Sequence, residues 1–207
     1  GNPYASELLV NRLMTEGSDK ETRHFELSLK DSGLKYLPGD SLGVLPTNCQ
    51  EVVSDLLDAV GLSGEEAVTL GEESIALKEA LTHRLACTVL SKIQIKKFNE
   101  FAQSDKLNKL LQIANKNSLV DYMWGRELID LFTEFPQLGI SALDFVSLLR
   151  PMPPRLYSIA SSLSAHTEEV HLTVAVVRYE GNGRKRMGVC SSYLAERVGE
   201  SIPCYLH

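Results

Sequence analysis

Arg155-Leu156-Tyr157-Ser158 follows directly on the proline cluster Pro151-Met152-Pro153-Pro154 and opens a hydroxyl-rich run to Ser162. An arginine, a tyrosine and a serine on one short extended segment offer three things: a cation for phosphate, a ring for stacking and a hydroxyl for a ring nitrogen. Alternation along a strand sets Arg155 and Tyr157 on the same face. A plain core strand has no use for this combination.

Two other stretches extend that chemistry. In Gly188-Val189-Cys190-Ser191, glycine permits close backbone approach, and Ser191 or Ser192 sits where a helix begins. Unpaired amides at a helix N-terminus attract phosphate, assisted by the helix dipole. Any capped helix has as much, so the arginine decides the weighting: a guanidinium beside those amides makes a two-sided clamp for a pyrophosphate. The stretch Glu169–Glu180 is the clearest strand in the chain. Val170, Leu172, Val174 and Val176 share one side, an ordinary core face. His171, Thr173, Ala175, Val177 and Tyr179 share the other, small in its middle and ending in an aromatic. That side is either a solvent face or a surface against which a flat ring lies. Together the three stretches suit a dinucleotide with a large planar head. No GxGxxG joins a strand to a helix, so the Rossmann mode of binding is absent.

The elements that must position these residues come in three blocks. The first 45 residues read as β: "RHFELSL" alternates cleanly, "LVNRLM" less so, and Pro38-Gly39-Asp40 turns the chain into the short apolar strand ending at Val44. From Pro46 the period becomes helical. Asn48 with Glu51 reads as a helix start, and Gly61 as its stop. "SIALKEALTHRL", "SKIQIKKFNEFAQ", "DKLNKLLQIAN", "RELIDLFTEF" and "SALDFVSLLRP" continue in the same manner. After Pro151 the β pattern returns, with "GNGRKRMG" as a glycine-bearing connection and "SIPCYLH" as a strand cut off midway. Neither β piece has enough strands to close a core alone. One β domain with a helical insertion is therefore expected, with two tandem domains as the alternative.

Bulk properties exclude several classes. The 207 residues carry 21 basic and 27 acidic side chains, a formal net charge of −6 that argues against a nucleic-acid-binding face. Lys92, Lys96 and Lys97 are the nearest basic group and read as a solvated helix face. No apolar run approaches the roughly 18 residues that span a bilayer, and no secretory leader precedes Tyr4. The chain lacks an initiator methionine, which suggests a piece of a longer protein. Four dispersed cysteines without CxxC spacing read as free thiols of a reducing cytoplasm. The five histidines stand singly in the sequence, so no metal site is expected. His171 reads as a satisfied strand residue, and Cys190 as a small packing residue.

Arg155 to Ser158, then Thr173-Val174-Ala175 with Tyr179, then Gly188 to Ser191 are familiar in that order. They resemble the FAD-binding module of the diflavin reductases, a family that includes the sulfite reductase flavoproteins. Cytochrome P450 reductases and nitric oxide synthase reductase domains share the plan. "YLPGDSLGV" is similar to that family's barrel entry, "LLRPMPPRLYSIASS" and "EVHLTVAVVRYE" carry the likeness to the sulfite reductase branch, and the similarity covers essentially the whole chain. The resemblance implies a mainly β plus α fold. Its core would be an antiparallel Greek-key flavin-binding β-barrel of ferredoxin reductase type, over 1–45 and 150–207 and truncated at its C-terminus. An all-helical connecting domain would be inserted over 46–149.

It further implies that Arg155 holds the FAD pyrophosphate, with Leu156 beside it, and that Tyr157 packs along the flavin. Ser158 lies near flavin N5 as the catalytic contact. Thr173, Val174 and Ala175 line the ring, Tyr179 lies on the adenosine side, and Gly188, Val189, Cys190 and Ser191 hold the diphosphate. Thr88 aligns with a flavin-touching threonine of the insertion. Arg126 is a further phosphate candidate whose register is open. The implied activity is that of an NADPH-dependent oxidoreductase passing electrons from NADPH through FAD to FMN, most naturally for sulfite reduction. FMN- and NADPH-binding domains of the same chain and a sulfite reductase hemoprotein would be its partners. The FMN and NADPH modules are absent from this sequence, so it alone is expected to bind FAD and to be inactive in turnover. A P450 or nitrate reductase module, and a scaffold that has lost its flavin, are the alternatives.

Overall fold

The alternating apolar pattern of the first residues forms β1 (Tyr4–Ser6), β2 (Leu8–Leu13), β3 (Thr22–Ser28) and β4 (Ser41–Val44). The computed structural model describes residues 2–207. The helical period then yields α1 (Gln50–Val60), which ends at Gly61 in the left-handed conformation, φ 82°. A hairpin follows, β5 (Ala67–Leu70) with β6 (Glu73–Ala76), before α2 (Leu77–His83) and the two-residue β7 (Leu85–Ala86). Next come α3 (Lys92–Ala102), α4 (Asp105–Leu110), α5 (Lys116–Met123), α6 (Leu128–Glu134) and α7 (Ala142–Ser147). The chain returns to β structure in β8 (Arg150–Pro151), β9 (Arg155–Ser158), β10 (Glu169–Ala175), β11 (Arg178–Gly181) and β12 (Arg184–Met187). The short α8 (Val189–Ser192) continues as a π-helical turn over Tyr193–Arg197, and β13 (Ile202–Leu206) closes the order.

The chain divides into two compact units. One comprises Gly1–Thr47, Pro153–Glu180 and Lys185–His207; the other comprises Asn48–Met152 and Gly181–Arg184. In the first, both sheets draw strands from the two ends of the sequence: one has the order β1-β13-β4-β9, the other β10-β3-β2. The pairing is antiparallel throughout. Phe25, Leu27, Leu42, Val44, Leu172 and Ile202 are fully buried there, so neither terminal segment owns a core without the other. The second unit buries its own core, including Val53, Leu56, Leu81, Phe98, Leu131 and Phe145. Phe132 stands edge-on to both Phe98 and Phe145, at 5.1 and 5.5 Å between ring centroids.

Several expectations change. Among the described residues the fold is mixed α and β with antiparallel sheets, and no closed barrel forms. Among the described residues the one β-bridge between the two sheets is isolated, Ile159 with Leu172, where a barrel would need a continuous ladder. The 46–149 block is not all-helical, because β5 pairs with β6 and "SIA" of the supposed helix "SIALKEAL" is strand. Asn48 does not cap α1. The N-cap is Cys49, and the Asn48 amide instead donates to Leu81 O and Leu85 O at 2.6 and 2.7 Å.

The single strand expected over Glu169–Glu180 breaks after Ala175, and half of the expected connection beyond it is β12. The cause is local. Asn182 and Gly183 both take positive φ, 50° and 74°, the signature of a two-residue hairpin turn.

Candidate functional site

β9 is placed by its pairing with β4, in the register Arg155 with Val44 and Tyr157 with Leu42. The Arg155 side is turned outward. Arg23, Arg84, Arg126, Arg178 and Arg184 pair with carboxylates, whereas Arg155 pairs with none among the described residues. Leu156 and Ser158 are exposed and Tyr157 is half-buried. An exposed guanidinium without a carboxylate is free to serve an external anion.

Tyr157 ties β9 to α8. Its phenol and the Cys190 thiol act on each other's ionisation, and the Arg155 charge acts on both groups. Burial, then the Cys190 thiol, push the phenol far above its ordinary range. Burial also pushes the Cys190 thiol up to about 11, although Tyr157, Arg155 and Arg197 pull it the other way. A thiol so raised stays protonated near neutrality, which suits packing and excludes a thiolate nucleophile.

α8 opens at Gly188, not at the serines. Gly188 is the N-cap, and the first intrahelical bond runs from Ser192 N to Gly188 O at 3.0 Å. The amides of Val189, Cys190 and Ser191 therefore precede any intrahelical acceptor. Both serine side chains point inward. Ser191 Oγ accepts from Val177 N at 3.1 Å, and Ser192 Oγ donates to Gly188 O at 2.6 Å. The glycine answers an internal demand: a Cβ on Gly188 would come 2.7 Å from Ser191 Oγ and 3.0 Å from Val177 Cβ. Its φ of −66° is open to any residue, so space and not conformation requires it.

Sequence reasoning passed over Arg197. It lies one turn beyond Ser192 and donates to Ser192 Oγ at 2.8 Å and to Val189 O and Thr47 O at 2.9 Å each, bracing α8 from behind.

β10 supplies the third stretch. Val170, Leu172, Val174 and Val176 are buried, while Thr173, Ala175, Val177 and Tyr179 are exposed. Leu156, Val177 and Tyr179 are 43%, 47% and 53% exposed, an unusual concession for large apolar groups. Thus β9 reaches β10 through the Ile159 bridge, β9 reaches α8 through Tyr157 and Cys190, and α8 reaches Val177 through Ser191. The three stretches converge within one unit.

Two candidates lie on the helical unit. Thr88 follows β7 and is half-buried, and its carbonyl accepts from Leu128 N at 3.0 Å. Arg126 donates to Glu134 Oε2 at 3.0 Å with its guanidinium 4.1 Å over the Tyr122 ring, so a structural network already holds it. A cavity of about 820 Å³ on this unit is lined by Lys92, Lys96, Asn99 and Glu100 among others, and includes none of the motif residues.

The family described as "FAD binding domain" matches residues 1–193. The sulfite reductase [NADPH] flavoprotein alpha-component of Bacillus subtilis (strain 168) is 48% identical over 210 residues, covering 99% of this chain and 35% of that protein. The protein of the same name from Vibrio cholerae (strain ATCC 39541) is 45% identical over 202 residues, with 97% and 32% covered. That from Zymomonas mobilis subsp. mobilis is 42% identical over 203 residues, with 97% and 33% covered. The chain spans about a third of the length of the curated relatives it matches.

Proposed function

Because the chain belongs to the FAD-binding domain family, we propose that its two-sheet unit holds FAD for an NADPH-dependent sulfite reductase flavoprotein. The convergence of Arg155, Tyr157 and the first turn of α8 is the observation that carries this reading. The groups present suit the cofactor: a cation without a carboxylate partner and preceding amides suit a diphosphate, and exposed Leu156, Val177 and Tyr179 suit flat rings.

When bound, FAD supplies hydride acceptance from NADPH and one-electron delivery toward FMN. The chain's own residues hold and orient. Arg155, flanked by Leu156, neutralises the diphosphate from one side while the amides of Val189, Cys190 and Ser191 meet it from the other, with Gly188 setting their spacing. Tyr157 packs along the ring system, and Thr173, Val174 and Ala175 form its floor, with Val174 acting from the core side. Ser158 presents its hydroxyl near the reactive nitrogen. Tyr179 takes the adenosine side.

We read the two sheets as the ferredoxin reductase-like flavin barrel in open form and the helical unit as the family's connecting insertion. FMN- and NADPH-binding domains and a sulfite reductase hemoprotein complete the proposed relay. The names of relatives support the sulfite reductase and NADPH parts of that reading. Among the described residues no helix is long and apolar enough to cross a membrane. The four free thiols support a cytoplasmic setting.

Titration with FAD, followed by mass spectrometry of the released chromophore, tests the assignment. Arg155→Ala should remove a charge-assisted contact of about 1.5–3 kcal/mol and weaken FAD by roughly tenfold or more. Wild-type affinity in a folded Arg155→Ala chain would dismiss the clamp.

A further inference from the structure

Three of the five histidines, separate in sequence, come together on the outer face of the β10-β3-β2 sheet. Register does this. β3 sets His24 and Glu26 opposite Thr173 and His171 of β10, while Phe25 and Leu172 turn to the core between them. His24 Nε2 lies 3.1 Å from Glu26 Oε1, and His171 Nε2 lies 3.5 Å from the same oxygen. His171 Nε2 is also 2.8 Å from Glu169 Oε2, and His166 Nδ1 reaches that carboxylate at 3.8 Å. The His24 and His171 rings stand edge to face at 5.2 Å between centroids, and the His166 ring lies 4.4 Å from His171.

We propose that His24, Glu26 and His171 form a binding site for a divalent transition-metal ion of the zinc class, with Glu169 as an adjoining carboxylate. Metal bonds of about 2.0–2.2 Å in a tetrahedron require ligand atoms roughly 3.3–3.5 Å apart. The separations of 3.1 and 3.5 Å about Glu26 Oε1 fall around that figure, so little rearrangement is needed. Two imidazoles and one carboxylate are a known zinc donor set that leaves a position open. Nitrogen donors of this kind select zinc, nickel, cobalt or copper over magnesium and calcium. His171 is almost fully buried, and its backbone N–H donates to Ser161 Oγ at 2.9 Å, which fixes its strand position. Exposed Arg12 of β2 pairs in register with His24 of β3; the Glu26 and Glu169 carboxylates offset that positive charge.

The site would clasp β3 to β10 across a long sequence separation, and it stands independently of the flavin reading. Metal-free chain should bind one equivalent of zinc in competition with a chromophoric chelator, and should melt at higher temperature when loaded. Cobalt should give the visible bands of a low-symmetry site. His24→Gln and Glu26→Gln should each weaken zinc by at least about tenfold. His24 and Glu26 lie on the half-buried outer face, so their variants are expected to keep a native circular dichroism spectrum even if His171→Gln does not fold. Failure of the wild-type chain to bind zinc, or unchanged zinc affinity in folded His24→Gln and Glu26→Gln, overturns the proposal.

Discussion

The phenol of Tyr157 and the thiol of Cys190 act on each other's ionisation, linking a β-strand to the first turn of a helix more than thirty residues away. This contact carries the register between the arginine-bearing strand and the amides it faces. Tyr157→Phe keeps the ring but removes the hydroxyl. It should cost about 0.5–1.5 kcal/mol of stability, the usual worth of one polar contact made by a half-buried hydroxyl. Chemical denaturation of both proteins checks the value.

The cysteines should differ sharply in reactivity. Burial raises Cys190 and Cys204 to about 11 each and Cys87 to about 12, while Cys49 is the one of the four with partial exposure. A thiol raised from its ordinary value near 8.5 to about 11 holds on the order of a hundredfold less thiolate at pH 7.5. One rapid equivalent of a thiol reagent, mapped to Cys49 by peptide sequencing, is the expected result; rapid labelling of Cys190 in the folded protein would contradict it.

Gly188→Ala tests whether the turn before α8 is a matter of space. The new methyl would sit 2.7 Å from Ser191 Oγ, the acceptor of the Val177 amide. The amide bond and the hydroxyl cannot both keep their places. Overpacking of this kind costs about 1–3 kcal/mol, and FAD affinity should fall with it if the α8 amides hold the diphosphate. Isothermal titration alongside thermal unfolding separates the two effects.

Legibility followed the range of the interactions. The alternation of Phe25 and Leu27 or of Leu172 and Val174 is local and marked the buried faces correctly. Arg155, Tyr157 and the α8 turn were visible as residue types, but their meeting depends on Tyr157 reaching Cys190, which no local pattern encodes. Asn182-Gly183 was a readable hairpin signal that the charged residues around it obscured. Asn48 misled because its cap-like spacing competes with a long-range use of the same amide. The His24–His171 juxtaposition is set by strand register across the sheet, so histidine spacing along the chain held no trace of it.

Acid should loosen the helical unit through one ion pair. Burial raises the Asp130 carboxyl, but the Glu127 backbone amide and Arg184 more than offset this, leaving its pKa below the usual value. Arg184 reaches Asp130 at 2.9 Å and Glu127 at 3.1 Å. A carboxyl depressed on folding adds stability that is present above its unfolded pKa, about 3.9, and disappears as pH falls through the lower folded value. Unfolding free energy should therefore decline as pH drops below about 4. Asp130→Asn should flatten that decline while lowering stability at pH 7. Denaturation curves across that window decide it; an equally steep decline in Asp130→Asn would assign the acid sensitivity to other carboxyls.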